Sequence, residues 1–320
     1  MTRHYLTGCE LDADELHALL DRAAELKAAP LSSRALAGRS VALLFEHPST
    51  RTRLSFEAGI HELGGHPIVL RPGDLQLARG ESVGDTALVL SRHVCAVGVR
   101  TGPDAMLAEL AGRATVPVIN MLTTRHHPCQ ALADLLTVRE AFGGLAGLRL
   151  AYVGDGNNVA RSLALLGARA GAHVAVASPA GYALALDDGE NGVAGEDGRS
   201  DAEGSDGTIP LTPEERARIT LHEDPREAVA GARMVYADVW VSMNDDEHTA
   251  EERRRALAPY RLDDALLDHA APDAIALHCL PAHPGEEITA EVLHGPRQRI
   301  WEQAENRRHA QKALLELLVA

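Results

Sequence analysis

Short apolar runs recur along the chain and read as buried strands, over residues 41–45, 67–70, 95–99, 116–120, 148–153, 173–177, 234–237 and 274–278. Between them, apolar positions return every three or four residues, the spacing of a helix with one buried face. This predicts helices over residues 12–27, 130–142, 158–170 and 303–319, among others. Strand and helix alternate from end to end, which implies parallel sheets covered by helices on both sides. Gly143, Gly144 and Gly147 break the pattern after a long helix and mark a domain boundary. The expected fold is therefore α/β, with two doubly wound parallel-sheet domains, residues 1–143 and 144–302, followed by a C-terminal helix of about 303–320.

A length of 320 residues suits two such domains, each with its own core. One segment, about 186–208, has no apolar period and is rich in Gly, Asp and Glu, so it reads as an acidic surface insertion. The formal net charge of −15 argues against a nucleic-acid partner. No stretch approaches the ~20 apolar residues of a membrane span. The N-terminus lacks the apolar core of a secretory signal, so a cytoplasmic location is expected. Cys9, Cys95, Cys129 and Cys279 form no Cys-x-x-Cys pair, which suggests neither a zinc ribbon nor a disulfide framework.

The apolar run 41–45 stops at Pro48, and Ser49 then reads as the N-cap of a helix whose buried face carries Phe56, Ile60 and Leu63. Its first turn holds Arg51 and Arg53, although a helix N-terminus already carries partial positive charge from unpaired N–H groups. Pairing with Glu57 one turn on accounts for Arg53 but not for Arg51. A bound anion would resolve the conflict, and phosphate is the natural candidate. Other polar residues stand in the same kind of place. Arg100 ends a strand, His127 and Asn158 each follow one, and Asp238 and Cys279 close two more. Ligands of open parallel sheets bind beyond the carboxyl ends of the strands, so these positions converge on one cleft.

Two other chemistries are open at this level. Gly154-Asp155-Gly156 begins like a dinucleotide fingerprint, but Val159 stands at the third glycine position and no acid closes the following strand. His126, His127 and Cys129, with His278, Cys279 and His283, could be metal ligands, yet neither group has His-x-x-x-His or paired-cysteine spacing. Read singly, Cys279 fits a small buried hydrophobe and Asp238 a cap for the next turn.

Taken together, the segments resemble the aspartate/ornithine carbamoyltransferase family. The matching stretches are residues 45–53, Glu81-Ser82 before Asp85-Thr86, His127-Pro128-Cys129-Gln130, and Gly154-Asp155-Gly156-Asn157-Asn158. They continue with Asp238 and Ser242-Met243, His278-Cys279-Leu280-Pro281, and Glu305-Asn306-Arg307. The resemblance covers nearly the whole chain and lapses mainly in the acidic insertion. It implies transfer of the carbamoyl group of carbamoyl phosphate to the δ-amino group of ornithine, giving citrulline and phosphate without cofactor or metal. The first domain, with the C-terminal helix of about 303–320 packed back on it, would then bind carbamoyl phosphate and the second ornithine, with the active site in the cleft between the two.

Residue by residue, the resemblance implies that Ser49, Thr50, Arg51 and Thr52 hold the phosphate, and that Arg100 reaches both phosphate and carbamoyl oxygen. Thr52, Arg100 and His127 would donate to that oxygen, where negative charge builds as the amine attacks. Gln130 and the carbonyls near Cys279 and Leu280 fit the carbamoyl NH2. Pro128, Cys129 and Arg307 complete the contacts to this substrate. Asn158, Asp238, Ser242 and Met243 would hold the ornithine α-amino and α-carboxylate groups, with Cys279 beside the attacking amine. The implied catalytic set is Arg100, His127, Asp238 and Cys279. Gln76 would reach into the site of a neighbouring subunit, within a homotrimer or a multiple of it. Asn244 departs from the glycine that the family carries after Ser-Met. A related amine, putrescine or acetylornithine, is the alternative substrate, and a non-catalytic regulatory relative is the alternative role.

Overall fold

The computed structural model describes residues 2–76, 80–186, 209–241 and 246–320. Ser242, Met243 and Asn244 lie outside the described residues, as does the acidic insertion from 187 to 208. Nine strands form two parallel sheets among the described residues. The first contains β1 (Ser40–Phe45), β2 (His66–Leu70), β3 (Ala96–Arg100) and β4 (Val118–Leu122), in the order β2-β1-β3-β4. The second contains β5 (Arg149–Val153), β6 (His173–Ala177), β7 (Ile219–His222), β8 (Met234–Ala237) and β9 (Ile275–His278), in the order β7-β6-β5-β8-β9.

The helices in chain order begin with α1 (Ala13–Ala28), α2 (Thr50–Glu62), α3 (Val83–Leu90), α4 (Asp104–Arg113), α5 (Pro128–Phe142) and α6 (Asn158–Arg169). There follow α7 (Pro213–Arg216), α8 (Pro225–Val229), α9 (Glu247–Leu257), α10 (Asp264–Leu267), α11 (Ala290–His294) and α12 (Ile300–Val319). This is the doubly wound arrangement that the alternating pattern predicts. The eight strands expected from sequence are present, and β7 is the addition. It lies at a sheet edge paired only to β6, and its half-exposed Ile-Thr-Leu-His run lacks the continuous apolar signal of an inner strand.

One apolar cluster runs from α1 and one face of the first sheet, through the packed helices α5 and α6, to one face of the second sheet. Smaller clusters cover the opposite faces of each sheet. Helix α12 packs along α1, α2 and α5, on the side of the first sheet. Both sheets reverse their winding near the middle, between β1 and β3 in one and between β5 and β8 in the other. Crevices beyond the strand ends form at such switch points. At these strand ends, Arg51 stands in the first turn of α2 after β1, Arg100 closes β3, and Asn157 and Asp238 follow β5 and β8.

Candidate active site

Ser49 caps α2 with extended backbone, φ −152° and ψ 102°, but its side chain makes no capping bond, and no acid stands in the first turn. The helix start is thus left with unanswered donors and two arginines. Arg53 is paired with Glu57 at 2.7 Å, one turn on. Arg51 is instead half-buried, where burial holds its guanidinium below its ordinary value despite attraction from Cys279 and Asp238. Glu46, Ser49, Thr50, Arg53, Arg71 and Pro72 line a cleft of about 440 Å³ on the outer side of this turn. Gln76 follows close behind Pro72, exposed, with its backbone carbonyl accepting from Glu81 N–H at 3.2 Å.

Two further guanidiniums meet Arg51. Burial first, then repulsion from Arg307 and Arg51, pulls Arg100 down to about 10, and its Nε is buried without a partner. Arg307 reaches in from α12, donating from Nη2 to Thr52 Oγ1 at 2.6 Å and from Nη1 to Gln130 Oε1 at 3.0 Å. His127 caps α5 among them. Burial, followed by Arg307, Arg100 and Arg51, lowers its pKa well below 6.5, so the imidazole is neutral. A neutral ring still offers one N–H donor. Its Nδ1 is buried without a partner, and its backbone N–H is held by Ser162 Oγ at 2.8 Å. Three cations, a hydroxyl and a neutral imidazole form a ready-made anion site.

The other wall comes from the second sheet. Asp238, at the end of β8, accepts from Cys279 Sγ at 2.6 Å and from Asn157 Nδ2 at 2.8 Å. Desolvation and then the Asp238 carboxylate raise the Cys279 pKa well above 9.0, so this sulfur is a thiol that donates rather than a thiolate that attacks. Asn157 also caps α6, its Oδ1 accepting from Val159 N–H at 2.9 Å and Ala160 N–H at 3.1 Å. One amide therefore fixes both the helix start and the carboxylate. Asn158, the next residue, donates from Nδ2 to the Thr123 carbonyl at 2.7 Å. Leu280 has φ +60°, a left-handed backbone costly for a branched residue and typical of ligand-holding loops.

The remaining sequence candidates sit close by. Pro128 opens α5, and the Cys129 thiol turns into the core, donating to the Asn120 carbonyl at 3.3 Å. Burial pushes that thiol up to about 12. The metal reading fares poorly on donor chemistry. Asp238, His278 and Cys279 are close enough to share an ion. However, His278 Nδ1 accepts from Leu280 N–H at 2.8 Å, and its Nε2–H donates to Glu287 at 3.1 Å, so neither ring nitrogen offers a lone pair to the cleft. His126 is committed in the same way, between Asp104 and Arg161, both at 3.2 Å.

Sequence reasoning passed over three polar residues. Asn157 reads as an ordinary cap, and its second bond to Asp238 spans eighty-one positions. Asp134 and Gln303 read as polar positions on helices, yet both are buried and bonded to each other at 2.6 Å. Burial raises Asp134 from 3.8 to about 7 against the opposing bonds from Gln130 and Gln303.

Residues 3–140 match the carbamoyl-P binding domain of aspartate/ornithine carbamoyltransferases, and residues 146–318 match their Asp/Orn binding domain. The chain is 52% identical to the ornithine carbamoyltransferase of Acidothermus cellulolyticus over 100% of its own length and 97% of that protein. It is 50% identical to that of a Parafrankia species, covering 99% and 96% of the two chains. The solved structure of the Pyrococcus furiosus ornithine carbamoyltransferase superposes with a TM-score of 0.86 at 42% identity, over 98% of this chain and 96% of that one. Matched along both halves and in fold, the chain belongs to the aspartate/ornithine carbamoyltransferase family.

Proposed function

We infer that this chain transfers the carbamoyl group of carbamoyl phosphate to the δ-amino group of L-ornithine, giving L-citrulline and phosphate. The observation that carries this reading is the convergence of Arg51, Arg100 and Arg307 on one side of a cleft, opposite the Asp238–Cys279 pair. The phosphate dianion is held by Arg51, by the start of α2 with Ser49 and Thr50, and by Arg100. The carbamoyl oxygen faces Thr52, Arg100 and the neutral His127, and its NH2 faces Gln130 and the loop carbonyls at Cys279 and Leu280. Pro128, Cys129 and Arg307 back this subsite.

An alkyl ammonium of pKa ~10.4 must lose a proton before it can attack. That first proton goes to solvent, a loss that the nearby Arg51, Arg100 and Arg307 favour by repelling an ammonium, and Asp238 and the Cys279 thiol then orient the neutral amine. A carbon–nitrogen bond then forms as the carbon–oxygen bond to phosphate breaks. The departing phosphate takes the bond electrons and accepts the second amine proton. Fixed donors at the carbamoyl oxygen lower the barrier because charge grows there only during attack. Asn158, Asp238, Ser242 and Met243 select the α-amino and α-carboxylate groups. The working unit is a homotrimer or a multiple of it, in which Gln76 completes the adjacent subunit's site.

The test is product formation from carbamoyl phosphate with ornithine, putrescine, acetylornithine or aspartate. Citrulline should form from ornithine with a kcat/KM at least about one hundredfold above that of the other amines, because unfilled polar contacts penalise poor analogues heavily. Equal or better use of putrescine would show that the α-carboxylate contacts are not used, and the substrate assignment would be wrong.

A further inference from the structure

Asp134 is a fully buried carboxyl group on α5 that the reaction above does not use. Its Oδ1 accepts from Gln130 Nε2 at 2.8 Å and from Gln303 Nε2 at 2.6 Å, with Tyr236 OH at 3.5 Å. Its Oδ2 is buried with no partner. A carboxyl group placed so deeply, with one oxygen unpartnered, is costly, and the cost calls for a use.

The two amides bonded to it share a property. Gln130 Oε1 accepts from Arg307 Nη1, while Gln303 Oε1 accepts from the backbone N–H of His278 at 3.0 Å. An amide is nearly symmetric in shape but not in chemistry, and its orientation follows from its neighbours. Turned over, Gln130 would set its oxygen against the carboxylate and its NH2 against a guanidinium. Gln303 would likewise set NH2 against N–H. Asp134 accepts from both amides, so both oxygens are locked facing away from it.

We propose that Asp134 is a positioning residue that presents only acceptors to the carbamoyl nitrogen, by orienting Gln130 directly and the Cys279–Leu280 loop through Gln303. The inference rests on the carbamoyl phosphate reading of the site and deepens it. The carbamoyl NH2 is the one part of that substrate that can only donate. Gln130 Oε1 lies over the Arg307–Thr52 corner, where the carbamoyl end belongs, and His278 N–H anchors the strand end from which the loop departs. Phosphate recognition at Ser49 to Arg51 needs none of this. The device therefore separates carbamoyl phosphate from acyl phosphates of the same charge, such as acetyl phosphate, whose methyl group cannot donate.

The test compares wild type with Asp134→Leu and Asp134→Asn, measuring KM for carbamoyl phosphate and the inhibition constant of inorganic phosphate. The asparagine variant keeps an acceptor oxygen at the Oδ1 position, so its KM should stay within about threefold of wild type. Leucine, of similar size, removes the acceptor, and KM should rise about tenfold or more while inhibition by phosphate is unchanged. A leucine variant with unaltered KM overturns the proposal. So does an asparagine variant as impaired as leucine, or a phosphate inhibition constant that weakens in step with KM. If the leucine variant does not fold, Gln303→Met carries the same test through the loop arm: KM should rise with phosphate inhibition intact, and an unchanged KM overturns the proposal. Absence of citrulline from the wild-type enzyme would sink the parent reading instead, so the two failures are distinguishable.

Discussion

Arg51, Arg100 and Arg307 lie close enough to repel one another, a cost that a bound anion offsets. Arg51→Gln should accordingly leave the melting temperature of the ligand-free protein unchanged or slightly raised. What it should lose is stabilisation by phosphate, which for the wild type amounts to about 2.7 kcal/mol at one hundred times Kd. Differential scanning calorimetry with and without inorganic phosphate reads both effects. A variant that keeps the full phosphate-induced rise would show that Arg51 does not hold the anion. Arg51 was legible in sequence because it breaks a local rule, cations at the positive end of a helix. Asp134 breaks no local rule. A polar residue four positions after Gln130 on a helix looks like any solvated i,i+4 pair, and only the arrival of α12 above it reveals burial.

The turn between β5 and α6 shows how an element places a functional group. Gly156 donates its N–H to the Tyr182 carbonyl at 2.8 Å, and a β-carbon on it would overlap backbone atoms of Ala183 and Leu184. The glycine is there to let that segment cross the turn, which in sequence resembles the opening of a dinucleotide fingerprint. The crossing holds Asn157 at the helix start, and Asn157 holds Asp238. Gly156→Ala should therefore cost about 1–3 kcal/mol from overpacking. It should also raise KM for ornithine more than KM for carbamoyl phosphate. Urea denaturation and steady-state kinetics test the two halves, and a variant equal to wild type in both would refute the account. Inner strands such as β5 and β8 were plain in the sequence because both their faces are buried, which leaves continuous apolar runs. The partner that crosses a turn leaves no such mark, since its contacts are made by backbone.

At the scale of the whole molecule, the switch points of two separate sheets supply opposite walls of one cleft, with α12 reaching both through Arg307 and Gln303. The alternating pattern contained the two sheets and their strand-end positions, but no periodicity in a single chain encodes a neighbour. That neighbour is what the proposed trimer adds: Gln76, exposed in this chain, would serve the next subunit's site. In a cyclic trimer every interface is heterologous, so each subunit donates to one neighbour and receives from the other. Gln76→Ala then damages the site next door, whereas Asp238→Ala damages the subunit's own. Each parental homotrimer should be impaired at every site. After equimolar mixed refolding, a site is complete wherever a subunit with intact Asp238 is served by a neighbour with intact Gln76, which random assembly achieves at about one site in four. Activity should return toward a quarter of wild type, in hybrids whose composition is verified by native mass spectrometry. If confirmed hybrids show only the average of the two parents, Gln76 acts within its own subunit or not at all, and the shared site is ruled out.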